Sequence, residues 1–153
     1  VPDATLSIAG NDEDGLGDCL RGLAEELGVS DRVRWLGPIH GEAKLRLMRS
    51  ADVFVLPSLS ENFALTVLEA MAVGLPVVCS EAVGASELVV SAGCGLVVQR
   101  TPEAFAAAIN SLLDDDARRR EMGERGRAAA LESSWATRSR DMENLYEKAL
   151  LEG

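Results

Sequence analysis

Cations are scarce in this sequence. Its 153 residues carry 15 Lys and Arg against 25 Asp and Glu, a formal net charge of −10. Such a balance argues against nucleic acid and against an anionic bilayer surface as partners. No run approaches the ~18 apolar residues of a membrane-spanning helix. No secretory leader is visible, and Val1 is not expected to be a natural start. The three cysteines, Cys19, Cys79 and Cys94, are odd in number, widely spaced and without a CxxC pair. They read as small structural thiols of a reducing, cytoplasmic protein, not as a disulfide framework or metal ligands. His40 is the single histidine; a helix-capping position suits it better than the role of catalytic base. Low-complexity linkers and fixed-period repeats are also absent. What remains is 47% apolar residues in one domain's length of chain, enough for a substantial core.

The apolar pattern alternates between short strands and longer helical stretches. Strands are expected at 4–9, 33–36, 53–56, 76–80 and 96–98. Between them lie a helix with Leu16, Leu20, Leu23 and Leu27 at helical spacing, ended by Gly28, and another over 41–50 with Leu45 and Met48 inward. A short helix is expected around 86–90. Thr101-Pro102 is an N-cap followed by proline at the first helical position, opening a helix to Leu113. Two further helices are expected over 117–131 and 135–150. The fold class is therefore α/β, a doubly wound, Rossmann-like parallel sheet of about five strands with a helical C-terminal tail.

One stretch organises the rest: PSLSENFALTVLEAMAVGLP, residues 57–76. Val53–Leu56 before it reads as a buried parallel strand. Pro57 ends that strand, and a polar turn follows. A helix begins near Phe63, with Leu65, Leu68, Met71 and Ala72 on one face, and Gly74 with Pro76 stops it. The turn lies beyond the carboxyl end of a strand, where open α/β sheets bind ligands. Glu61 sits on the turn and Glu69 in the helix, with the helix start between them. Free N–H groups at that start suit an anion, and two carboxylates suit hydroxyls. A phosphate flanked by hydroxyl acceptors describes a nucleotide-sugar site.

Glu61-x7-Glu69, set in PSxxExFxxxxLEAMAxGxPVV, resembles the donor-site signature of the group 1 family of retaining glycosyltransferases with the GT-B architecture. Upstream, LSIAGNDEDG, DRVRWLGPI and LMRSADVFVLPS are similar to further family segments, as are GASELV, CGLVV and SSW downstream. The resemblance covers nearly the whole chain. It implies that Glu61 meets the transferred sugar at the catalytic centre and that Glu69 accepts from the ribose hydroxyls. Asn62, Phe63, Ala64 and Leu65 correspond to a GFGL segment whose amides meet the diphosphate and sugar. Ile39 and Lys44 belong to the segment that reads the nucleobase, and Gly84, opening GASELV, is a further donor contact. No metal or cofactor is implied, since the substrate is itself the nucleotide diphosphate sugar. Asp114-Asp115-Asp116 looks like a DxD metal motif but fits a helix start. Arg118-Arg119-Arg120 reads as a solvated face.

Two departures stand out. Asn62 and Ala64 occupy positions that are commonly glycine in the family. The chain, taken as a single domain over 1–153, also resembles only the C-terminal, donor-binding domain of a GT-B protein. It is expected to lack that domain's first strand, the basic pair that neutralises the diphosphate, and the whole N-terminal acceptor domain. The expected function is the donor-binding part of a hexosyltransferase, inactive as an isolated fragment. A GT-B nucleotide-sugar epimerase and a degenerate, non-catalytic binding domain are the alternatives. Membrane contact of the whole protein is left open and has no support here. Without the central strand, the strands at 4–9 and 53–56 are expected to close up and pair.

Overall fold

The structure is a computed structural model that describes residues 3–12, 15–62 and 64–133. Phe63 and the helix expected over 135–150 lie outside the described residues. The chain divides into two compact units, Val1–Leu47 and Met48–Gly153.

The first unit contains β1 (Leu6–Ala9), α1 (Gly17–Glu26), a 3-10 turn (Ser30–Arg32), β2 (Val33–Gly37) and most of α2 (Gly41–Arg49). β1 and β2 run parallel, with Leu6 opposite Val33 and Ile8 opposite Trp35. Both carboxylate oxygens of Asp12 accept from the Gly17 N–H at 3.1 Å, satisfying a donor at the start of α1. Gly28, at φ +64°, lets the chain turn away after the helix. The leucine stripe of α1 forms as a helical face, but it is not buried. Leu16, Leu20, Leu23 and Leu27 are 43–66% exposed, and Ala24 is the buried residue of the helix. Spacing defines an apolar face; whether anything covers it depends on the rest of the fold. In α2, Met48 is buried and Leu45 and Leu47 half-buried, as their spacing predicts.

The second unit contains β3 (Phe54–Leu56), α3 (Leu65–Ala72), β4 (Val77–Ser80), α4 (Ser86–Ala92), β5 (Gly95–Val98), α5 (Pro102–Leu113) and α6 (Asp116–Glu132). Its sheet is parallel in the order β3-β4-β5. β4 is buried along its whole length, and its side chains alternate between two cores. Val77 and Cys79 pack with Val67, Met71 and Val89 of α3 and α4, whereas Val78 packs with Phe105, Ala108 and Leu112 of α5. Helices therefore cover both faces, as in a doubly wound sheet. The fully apolar run at β3 is only half-buried, because β3 is an edge strand.

Pairing of β1 with β3 does not occur among the described residues. β1 pairs with β2 and β3 with β4, in two separate sheets. The penalty that would drive closure applies to backbone groups shut away from water. β1 is mostly exposed, so its free edge can be hydrated.

α5 starts where the sequence places it: the Thr101 Oγ1 accepts from the Ala104 N–H at 3.2 Å, with Pro102 at the first position. Asp115 caps α6 by accepting from the Arg118 N–H at 2.9 Å. Arg119 departs from the solvated face expected of its tract. Its side chain is only 16% exposed and is paired with Asp116. It donates to the Leu112 and Leu113 carbonyls, at 2.6 and 2.7 Å, so a cation occupies the negative end of α5.

Candidate functional site

The loop from Pro57 to Asn62 leaves the carboxyl end of β3 and carries Glu61. Its side chains give it no anchor: Leu59 is 73% exposed, and Ser60, Glu61 and Asn62 are exposed as well. Main-chain bonds hold it instead. The Ser80 hydroxyl, at the end of β4, donates to the Ser58 carbonyl at 2.6 Å. The Glu61 N–H donates to the Ala82 carbonyl at 3.3 Å, and the Glu61 carbonyl accepts from the Gly84 N–H at 2.9 Å. Together these make a parallel bridge between Glu61 and Val83. Gly84 is required by proximity, since a Cβ there would lie 1.5 Å from the Asn62 carbonyl oxygen.

α3 starts beyond Asn62 with an unusual backbone. Ala64, at the N-cap, takes φ 52° and ψ 69°, the one non-glycine residue with positive φ among those described. Of the two positions that are commonly glycine in the family, it is therefore Ala64, and not Asn62, that adopts the left-handed conformation. An alanine has no side-chain acceptor for the first N–H groups, and the first turn holds no acidic residue. Helix starts of this kind favour an anion. Glu69 stands one turn further on, at i+4 from the exposed Leu65, with its Oε2 atom sealed from solvent.

The far side of α3 is fixed by packing. Val67, Ala70 and Met71 are the buried residues, whereas Leu65 and Ala72 are exposed. Apolar residues surround this helix, so periodicity alone could not select the inward face. At its end the Leu75 N–H reaches the Ala70 carbonyl and the Gly74 N–H the Met71 carbonyl, both at 2.9 Å, with Gly74 at φ +79°. This is a Schellman stop.

The structure thus brings Glu61, Asn62 and Gly84 into one bonded cluster and places Ala64, Leu65 and Glu69 on the adjoining helix. Ile39 and Lys44 belong to the first unit. Ile39 is half-buried between β2 and α2, and the Lys44 N–H donates to the His40 carbonyl at 3.5 Å. His40 itself is exposed at the start of α2. At the carboxyl ends of β1 and β2 in that unit lies an open cavity of about 360 Å³, lined in part by Asn11, Trp35 and Pro38. The Arg21 guanidinium lies over the Trp35 ring at 4.7 Å. Ser80 was not legible as a site residue, because a serine closing an apolar strand looks like the first residue of a turn. No group of three His, Cys, Asp or Glu side chains gathers as a metal site among the described residues.

Residues 1–129 match the family described as "Glycosyl transferases group 1". The chain belongs to the group 1 glycosyltransferases. Among similar family members is the D-inositol 3-phosphate glycosyltransferase of Corynebacterium glutamicum, 38% identical over 134 residues, which are 87% of this chain and 32% of that protein. The Nocardia farcinica protein of the same name is 40% identical over 88% of this chain and 30% of its own length. This chain thus spans about a third of the length of the curated relatives it matches. A sucrose-phosphate synthase from Thermosynechococcus elongatus superposes with a TM-score of 0.82 at 31% identity, covering 100% of this chain and 40% of that one. HepE of Anabaena, solved with UDP, gives 0.81 at 26% identity over 96% of this chain and 42% of its own. The α/β fold expected from the sequence, part of a GT-B glycosyltransferase, is borne out by these neighbours.

Proposed function

We propose that the chain is the donor-binding part of a glycosyltransferase that moves a hexose from a nucleoside diphosphate to an acceptor hydroxyl with retention of configuration. The observation that carries this is the start of α3: a helix N-terminus without a side-chain cap, standing between Glu61 on a bonded loop and the part-buried Glu69. In this reading the amides of Asn62 to Leu65 receive the diphosphate, Phe63 included on the resemblance alone. Glu69 accepts from the ribose hydroxyls and Glu61 from the hydroxyls of the transferred sugar, while Ile39 and Lys44 meet the nucleobase. HepE, a structural neighbour solved with UDP-glucose, supports a nucleotide sugar as the ligand class. The reaction is read as needing neither metal nor cofactor, in the cytoplasm, with an acceptor domain supplied by the whole protein. The isolated chain is read as inactive.

The names of the sequence relatives make an inositol phosphate the first acceptor to try. The test is an assay of the whole protein that carries this chain, with a panel of nucleotide sugars and the anomeric configuration of the product read by NMR. Transfer with the donor's own configuration is expected, and none from the chain alone. An inverted product, or transfer by the isolated chain, overturns the reading.

A further inference from the structure

We propose that Ser80 and Gly84 are positioning residues: together they latch the loop that carries Glu61 and so set its carboxylate against the donor sugar. This rests on the reading of Glu61 as the sugar contact. Ser80 is the buried polar residue of the described core, 1% exposed at the end of β4. A hydroxyl shut away from water is costly unless it is bonded, and an alanine would fill most of the same space without that cost. The bond it makes goes to the Ser58 carbonyl, at 2.6 Å, at the start of the Glu61 loop.

Gly84 holds the other end of the loop. Its N–H bonds the Glu61 carbonyl at 2.9 Å. Its bare Cα lets the Asn62 carbonyl approach so closely that a Cβ would lie 1.5 Å from that oxygen and 2.7 Å from its carbon. Both atoms are backbone, so a side chain at 84 can be accommodated only if the loop itself moves. Between these two tethers the side chains of Leu59, Ser60 and Glu61 are exposed, and the Glu61 N–H adds a longer bond to the Ala82 carbonyl at 3.3 Å. A shift of about 1 Å in a group that touches the reacting part of a substrate is enough to lose most of its effect. The helix start and Glu69 are held separately, by the packing of α3. Loosening its Ser80 end should therefore disturb the sugar contact and leave the nucleotide contact in place, whereas a side chain at 84 also displaces Asn62 and so reaches the diphosphate contact.

The readout is the ratio of UDP-glucose to UDP affinity, measured by NMR titration of the whole protein that carries the chain. Glu61→Ala is the reference, expected to lower the ratio about fivefold or more. Ser80→Ala is expected to lower it to a similar extent, with UDP affinity held within about twofold, and Gly84→Ala, which also displaces Asn62, to lower both the ratio and UDP affinity. Ser80→Thr, which keeps the hydroxyl, should retain the wild-type ratio. If Glu61→Ala lowers the ratio while Ser80→Ala and Gly84→Ala leave it unchanged, the latch is refuted and the site reading stands. A parallel fall in both affinities in Ser80→Ala also refutes it, as general loss of structure. If Glu61→Ala itself leaves the ratio unchanged, or wild type binds neither ligand, the sugar-contact reading beneath the proposal fails.

Discussion

At Ala64 the backbone lies in a region that costs a side-chain-bearing residue about 1–2 kcal/mol, while its buried methyl returns about 0.8 kcal/mol. The two nearly cancel, so Ala64→Gly should change the unfolding free energy by less than about 1 kcal/mol. Valine has no such escape, because a β-branched residue at positive φ is a strained outlier. Ala64→Val should lose about 2 kcal/mol or more in urea denaturation. A valine variant as stable as wild type would mean that α3 does not start through a left-handed residue. The thiols give a second residue-scale test. Cys79 is fully buried, and burial, with Cys94 beside it, pushes its pKa from 9.0 up to about 11. The unfolded chain therefore ionises first. The stability held by the neutral thiol is complete below pH 9 and is lost as pH climbs towards about 11. The loss should be about 2–3 kcal/mol. Comparing the alkaline slope of wild type with that of Cys79→Ala isolates the effect; equal slopes would contradict it.

At the scale of elements, α6 lies against α3 through glycines. A Cβ on Gly123 would sit 2.2 Å from the Gly74 carbonyl oxygen, and one on Gly126 would sit 3.2 Å from the Cys94 Cβ. The neighbour at Gly123 is backbone and cannot yield cheaply. Gly123→Ala should therefore cost about 1–3 kcal/mol and outweigh the ~1 kcal/mol that alanine gains in a helix. Gly22, in α1, has nothing within 4 Å of such a Cβ. There the propensity term acts alone, and Gly22→Ala should raise stability by about 0.5–1 kcal/mol. Thermal melts of the two variants should move in opposite directions, and a shared direction would refute the account. The contrast also explains what sequence reasoning could reach. Caps and stops such as Thr101-Pro102 and Gly74 are local, so they were legible almost to the residue. The contact face of α6 was not, because glycines leave no apolar periodicity. Nor was burial of the α1 leucines predictable from α1 itself, and β3 and β4 look alike until one knows which is central.

Over the whole molecule, the alternation of strands and helices was enough to imply a parallel α/β fold, and the residues of the Glu61–Glu69 segment were enough to point to a family. What the segment could not disclose is how its parts are held. The Ser80 hydroxyl and the bare Cα of Gly84 act through contacts between segments 20 or so residues apart, such as Ser80 with Ser58. The central claim is that α3 and Glu69 bind a nucleoside diphosphate, and Glu69→Ala tests it most directly. NMR titrations of wild type and variant with UDP, GDP and ADP would be compared under one condition. Saturable binding of at least one nucleotide is expected in wild type, with affinity reduced about tenfold in the variant through loss of charge-assisted bonds to the ribose. The account is contradicted by equal affinities in the two proteins, or by the absence of saturable binding to wild type.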